Sequence, residues 1–510
     1  MKPRALALAA LFFLVPWAAF AHVGSPDVFY EGPAGPYPVD ITIHMPPVVP
    51  GQAQILARMK NSDPVKVSFL PIYSTTAVKN APPADPGQLV GGETNLYSGQ
   101  LWLMTFGAYD IEVRIDGKAG PGSIQIPVNS VATSQLPLPP YLEKLLLFLG
   151  ALLGIGGLGV VEASIREATL PPGAVPTARD RRRGLVACGI AAVIILFLLA
   201  GGNWWWDAEA MNFRRHLLNG GWPDMAANVQ VRGSQRILHL TIGGKAFAPD
   251  YSLPLLLDHG KLLHFFLVRE PGRDVFAHIH PVRTGGKTFD VALPSLPEGR
   301  YEGFCDMTFA QGLSTTGTMA VQLPAMPAPQ STAAAMVPDP DDSWAAGPAA
   351  TAPTAPNADT VYQLPDGQRV AWKAHAALRV KQDAALRFQV RDAAGHPAAL
   401  EPYMGMISHV AVLRDDGAVF AHLHPTGNYS MAAQMYFMQK MSSETGATKG
   451  DGMAGMAGMP GMMDMNHPGP PDALISIPYE FPSAGSYRIW VQFKTGGKIW
   501  TAVFDADVAA

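Results

Sequence analysis

Residues 264–281, HFFLVREPGRDVFAHIHP, and residues 409–425, HVAVLRDDGAVFAHLHP, carry one pattern twice. Each is a β-branched and aromatic run, a short turn, and a second such run that ends in His-x-His-Pro. These are the signals of a β-hairpin. In the second copy Asp416-Gly417 is a favoured two-residue turn, and centring there sets His409 opposite His424. The first copy has a loop one residue longer, Pro271-Gly272-Arg273, and centring on Gly272 sets His264 opposite His280. The extra residue falls in the loop, so the histidine pairing survives it.

Strand residues i and i+2 share a face. Facing Cβ atoms on neighbouring strands lie about 5 Å apart. The pattern therefore predicts that His264, His278 and His280 project into one small volume, and that His409, His422 and His424 project into another. Three imidazoles on a rigid ladder are a ligand set for a transition metal. The competing expectation is that the histidines only pack a half-buried sheet face.

The 510 residues are 48% hydrophobic and only 15% charged, which points towards a membrane. A net charge of −4 gives no electrostatic footprint for nucleic acid. The two cysteines, Cys188 and Cys305, lack the spacing of a zinc finger or a thiol redox motif. Cys188 falls in an expected membrane span, so no intramolecular disulfide is expected.

Residues 1–21 read as a secretory signal: Lys2 and Arg4, an apolar core, then the small-x-small site Ala19-Phe20-Ala21. Cleavage there would make His22 the first residue and offer copper an amine and a ring nitrogen, with His44 as a third donor. Residues 22–130 alternate in short segments between Gly/Pro/Asn turns, which predicts an N-terminal β-sandwich. Residues 141–163 and 184–203 are each long and apolar enough for a transmembrane helix. Arginines in the loop 164–183 place that loop in the cytoplasm, and Trp204-Trp205-Trp206 sits where an interfacial aromatic belt belongs. Residues 228–324 are read as a β-sandwich with the first hairpin, 325–360 as a Pro/Ala-rich linker, and 361–510 as a β-sandwich with the second hairpin. The fold class expected is mainly β: three extracytoplasmic sandwiches and a two-helix transmembrane hairpin.

The last two regions read as a duplication. Asp258-His259-Gly260-Lys261-Leu262-Leu263-His264 aligns without gaps on Tyr403-Met404-Gly405-Met406-Ile407-Ser408-His409. Pro297-Glu298-Gly299-Arg300-Tyr301 parallels Ser483-Ala484-Gly485-Ser486-Tyr487. His259 thus falls where Met404 falls, a nitrogen donor against a thioether, and Met404 and Met406 join the candidate ligands. An insertion, 431–467, interrupts the third region. Its Met431, Met435, Met438 and Met441 have helical spacing and are expected to pack. Met453, Met456, Met459, Met462 and Met465 recur every third residue among Gly, Ala and Pro, and His467 closes the run. Such sequence builds no core, and Met-x-x-Met arrays suit Cu(I).

The two segments around the hairpins resemble the His-x-His-Pro β-sandwich domains of bacterial exported proteins, of which the YtkA-like group is the nearest named. The start His22-Val23-Gly24-Ser25-Pro26 is more weakly similar to CopC-type copper-resistance sandwiches. The resemblance implies copper handling. The reading is a binding protein, not an enzyme, anchored in a bacterial inner membrane by two spans with both large soluble regions in the periplasm. It would capture, buffer or deliver Cu(I)/Cu(II), with a copper exporter or an oxidase assembly machinery as partner and no nucleic acid. A structural or protein-interaction module and a copper-dependent enzyme are the other classes. No general-base carboxylate recurs in both copies, although Asp258 lies beside the first.

Overall fold

The computed structural model describes residues 26–61, 65–134, 136–171, 173–213, 225–243, 254–326, 336–352, 358–373, 376–445 and 470–510. The signal segment 1–21, His22, the Met453–Met465 run and His467 lie outside the described residues. The chain forms two compact units, Ser134–Gly221 and the remainder.

The smaller unit holds two helices, α1 (Pro140–Glu167) and α2 (Ala178–Phe213), both long and apolar enough to cross a membrane. Pro140 at the first helical position costs nothing, because that N–H has no partner in a helix. The helices are longer than the apolar spans read from sequence. The chain between them narrows to 168–177, so Arg179, Arg181, Arg182 and Arg183 lie in the first turns of α2. Trp204, Trp205 and Trp206 are exposed on the continuing helix.

Among the described residues the larger unit is mainly β-structure, in six sheets. In residues 26–133 one sheet runs, in spatial order, Val28–Ala34, Tyr37–His44, Gly51–Met59, Leu96–Leu103 and Gln88–Leu89. The other runs Asp85–Pro86, Lys66–Tyr73, Gly107–Gly117 and Gly120–Ser130. Alternate residues of Gly51–Met59 are buried, as a half-buried strand requires. Ile41, Ile55, Phe69, Ile111 and Ile126 share one apolar core drawn from both sheets.

The duplication is visible in the sheets. In the second region the hairpin strands His264–Arg269 and Val275–Ile279 continue into Gly299–Thr308 and then Ser314–Leu323. In the third, His409–Arg414 and Phe420–Leu423 continue in the same order into Gly485–Thr495 and Lys498–Val508. The turns before the hairpins match too. His259 and Met404 have φ of 51° and 50°, each followed by a glycine near 80°. Two successive left-handed residues make the tight turn, and the glycine takes the second without strain.

The hairpin strands are buried on both faces. Phe265 and Leu267 face the second region's own core. Phe266 and Val268 face the other copy, in a cluster with Phe276, Phe304, Ala411, Leu413, Phe420, Trp490 and Val503. Phe276 stacks on Trp490 at 4.7 Å between ring centroids, and Phe420 stacks on Phe304 at 4.2 Å. By the alignment Phe276 corresponds to Phe420 and Phe304 to Trp490. One contact is thus made twice, as in a two-fold dimer interface, but within a single chain.

The linker reading is corrected in part. Ser343–Ala346 pairs with Val275–Ile279 as a fifth strand of the second region's sheet. Its Pro/Ala-rich surroundings hide it, because an edge strand this short is held by backbone pairing rather than by an apolar pattern. The 15-residue helix α3 (Met431–Thr445) follows the second hairpin. Met431 is buried and Met438 partly buried in the first region's core, whereas Met435 is exposed.

Candidate metal centre

The hairpin registers bring the histidines together. Phe265 pairs with Ile279 and Phe266 with His278, which carries His264 opposite His280. Val410 pairs with Leu423, which carries His409 opposite His424. Both hairpins end where the two copies meet, so their histidines share one buried chamber. His264 and His422 have ring centroids 5.3 Å apart, His278 and His422 5.5 Å, and His278 and His409 6.1 Å.

Two trios have ligand atoms that all lie within 4.8 Å of one another: His264, His278 and His280, and His259, His409 and His424. The first is the trio read from sequence. The second differs, because His259 from the turn of the second region replaces His422. The cause is the two-fold packing. It places the strand Gly299–Thr308 beside the second hairpin, where Asp306 accepts from His422 Nδ1 at 3.2 Å. The same packing carries the turn at His259 across to Met404, whose carbonyl accepts from His259 Nδ1 at 3.0 Å.

Five of the seven rings are held by one nitrogen to an acceptor. His280 Nδ1 donates to Asp342 at 2.9 Å and His278 Nδ1 to the Gln492 amide oxygen at 2.9 Å. His264 Nε2 donates to the Asp258 carbonyl at 3.1 Å. His259 and His422 donate through Nδ1 as above. Ligating histidines are typically oriented in this way, by an acceptor on the nitrogen that does not touch the metal. The opposite nitrogens of His259, His280 and His422, and both nitrogens of His409 and His424, are buried without a hydrogen-bond partner among the described residues. Unpaired polar atoms are costly in a protein interior and rarely accumulate without a reason.

The closest pair is the most informative. His264 Nδ1 and His278 Nε2 stand 3.1 Å apart. The carbonyl of Asp258 can only accept, so the His264 proton is on Nε2 and its Nδ1 is a bare lone pair. With the Gln492 amide oxygen accepting from His278 Nδ1, His278 Nε2 carries a lone pair as well; with that amide turned about, Nε2 instead donates to His264 Nδ1. Two lone pairs facing each other repel unless a cation lies between them. Two nitrogens bound about 2.0 Å from one ion, with about 100° between the bonds, would themselves be about 3.1 Å apart. A proton is a poor substitute. Burial, then the neighbouring histidines, hold His264 and His278 well below the usual histidine range. His409 and His424 are lowered in the same way, and burial lowers His259 against the pull of Asp258.

The remaining candidates are placed elsewhere. Met406 lies in the first region's apolar core with Tyr429 and Met431, a packing role, because the tight turn points it away from the chamber. Met404 keeps the turn position equivalent to His259, half-buried. His44 is outside the chamber, grouped with Asp27 and Glu480. Its Nδ1 is 3.1 Å from Asp27 Oδ2, a bond that raises its pKa. Burial, then Asp383, pushes Glu480 up to about 7. Cys305 neighbours the first hairpin, opposite Phe265, but points into the second region's core; burial raises its thiol. The next residue, Asp306, faces the chamber instead.

Asp306, Asp342, Gln492 and Tyr403, whose hydroxyl donates to the Asp341 carbonyl at 3.1 Å, were not singled out from the sequence. The duplication signals two of them, since Asp306 and Gln492 each lie five residues beyond the aligned tyrosines, Tyr301 and Tyr487. Nothing local signals Asp342.

Among known protein families, a domain of unknown function, DUF8832, matches residues 360–450, which contain the second hairpin. No curated protein matches. Solved structures with some similarity include dimeric latent PorU from Porphyromonas gingivalis, 8% identical with a TM-score of 0.15, covering 95% of this chain and 34% of that one. A putative membrane anchored protein from Corynebacterium diphtheriae is 9% identical, with a TM-score of 0.14 and coverage of 95% and 96%. The Escherichia coli alpha-2-macroglobulin activated by porcine elastase is 8% identical, with a TM-score of 0.17 and coverage of 93% and 35%. The chain spans about a third of the length of the first of these. Likeness this low carries no argument about function.

Proposed function

We propose that this is a membrane-anchored copper-binding protein that captures, buffers or delivers copper through the histidine chamber. The observation that carries the reading is the convergence of seven imidazoles on one buried site, with His264 Nδ1 and His278 Nε2 facing each other 3.1 Å apart and the opposite nitrogen of each hydrogen-bonded. An all-imidazole set accepts copper in either oxidation state, and the thioethers of Met404 and of Met453–Met465 favour Cu(I). Each pair of sheets is read as one sandwich, three in all, facing the periplasm, with α1 and α2 as the inner-membrane anchor. The likeness of the hairpin segments to YtkA-like domains supports the same assignment. A copper exporter or an oxidase under assembly is the partner class that fits a membrane-bound carrier.

The test is equilibrium dialysis of the detergent-solubilised full chain against Cu(I), Cu(II) and Zn(II), beside a chain lacking residues 450–467. Copper retained by both chains, with a Cu(I)-specific decrease in the deleted one, supports the reading. No copper above background contradicts it, and preferential retention of zinc replaces copper with zinc.

A further inference from the structure

Two independent three-histidine sites leave three features of the chamber without a role. The trios are not separated: His259 and His264, one from each, have ring centroids 6.0 Å apart, which is ring-to-ring contact. His422 belongs to neither trio. It lies 5.3 Å from His264 and 5.4 Å from His409, with Nδ1 held by Asp306 and Nε2 unpartnered in the interior.

The third feature is charge. Asp342 bonds His280, Asp306 bonds His422, and Asp258 Oδ1 is 3.6 Å from His259 Nε2 without a hydrogen-bond partner. Among the described residues no Lys or Arg pairs with these three carboxylates; the nearby Lys261 pairs with Asp339 and Asp341. The three are partly exposed and also accept from Ser430, Thr316 and the His280 N–H, and their negative charges lie against His259, His422 and His280. Two divalent ions would exceed their charge by one, which a bridging hydroxide removes.

We propose that the seven rings enclose one dinuclear centre: a metal ion on each trio, a hydroxide bridging the two ions, and His422 Nε2 as a further ligand to one of them. The hydroxide derives from a bound water that releases one proton to solvent, and no electron is transferred. Bridged metal pairs stand about 3.5–4 Å apart, a separation that adjoining trios allow. The proposal rests on the metal-binding reading and goes beyond it, since separate sites would serve a carrier equally well.

The test uses the solubilised full chain loaded with Cu(II), with copper and unpaired spins both counted on the same sample. A dinuclear centre predicts about two histidine-bound coppers per chain and a spin count well below the copper count, because a hydroxide bridge couples the spins. His422→Ala, with its fold checked by near-ultraviolet circular dichroism, should hold one of the two coppers more weakly in a chelator competition, and unchanged retention of both would remove His422 from the centre. Equal copper and spin counts in the wild type would overturn the dinuclear centre while leaving the copper-binding reading standing. A single copper per chain would do the same. No bound copper would overturn both.

Discussion

The two histidine hairpins share a register, a preceding turn and a mutual packing surface, yet they differ at two of the positions that bear on the chamber. Where the second region has His259 the third has Met404, and where the second has Asp306 the third has Gln492. The middle histidine of each hairpin is held by the other copy's strand, so the difference crosses over. His422 of the third region is held by a carboxylate, and His278 of the second by a neutral amide. A carboxylate behind an imidazole raises its basicity as a ligand. The duplication therefore supplied a symmetric scaffold, and divergence at the facing positions made the two halves unequal in charge and donor type.

The largest expected effect comes from breaking the packing that both halves share. Trp490→Ala removes a fully buried ring that stacks on Phe276 and should cost about 3–5 kcal/mol. Phe304→Ala removes the two-fold counterpart and should fall in the same range. Thermal unfolding of the solubilised chain would read both, and a loss confined to one would show that the halves do not share their interface equally. Met406→Ala should cost about 2–5 kcal/mol in the same assay. It should leave histidine-bound metal unchanged, since Met406 packs in the first region's core.

Effects on binding come next. His409→Ala deletes a trio member and should weaken metal retention by more than ~100-fold at that trio, above the usual cost of losing an outer partner. Asp306→Asn keeps the shape behind His422 and removes the charge, with an expected loss of about 10–100-fold. Gln492→Asp makes the halves alike and should tighten binding at His278. Competition titrations with a chelator of known affinity would measure all three, and equal responses to the last two would remove the proposed asymmetry.

The smallest effect is that of pH on the metal-free protein. His259, His264, His278, His409 and His424 have lowered folded pKa values, so the unfolded chain takes up protons first, near about 6.5. Stability fully present above that pH should fall as pH drops below it. Glu480 opposes the trend: its carboxyl is raised to about 7, so it favours the folded state as pH falls from there towards its unfolded value. His44, raised by Asp27, acts in the same sense as Glu480. A midpoint that rises between pH 7 and pH 5 would show that Glu480 and His44 outweigh the chamber histidines.

Much of this was legible in the chain. The Asp416-Gly417 turn and the Gly272-centred loop set both registers, because side-chain alternation ties register to face. The paired His-Gly and Met-Gly turns identified equivalent positions before any contact was known. The meeting of the hairpins was not legible. It depends on Phe266, Phe276, Phe304, Phe420 and Trp490 lying on the faces turned away from their own cores, and an all-apolar strand does not reveal which apolar face meets which neighbour. For that reason the sequence pointed to two separate trios rather than one chamber, and missed that His259 crosses to the opposite half. Asp342 was hidden for another reason: it precedes a four-residue edge strand in Pro/Ala-rich surroundings.

The central claim is that the chamber histidines bind copper. X-ray absorption at the copper edge, on the chain lacking residues 450–467, tests it most directly. The account predicts a first shell of nitrogen donors near about 2.0 Å with the outer-shell scattering of imidazole rings, lost when His264 and His409 are both replaced by alanine. Copper bound without imidazole scattering, or scattering unchanged by that double replacement, would contradict it.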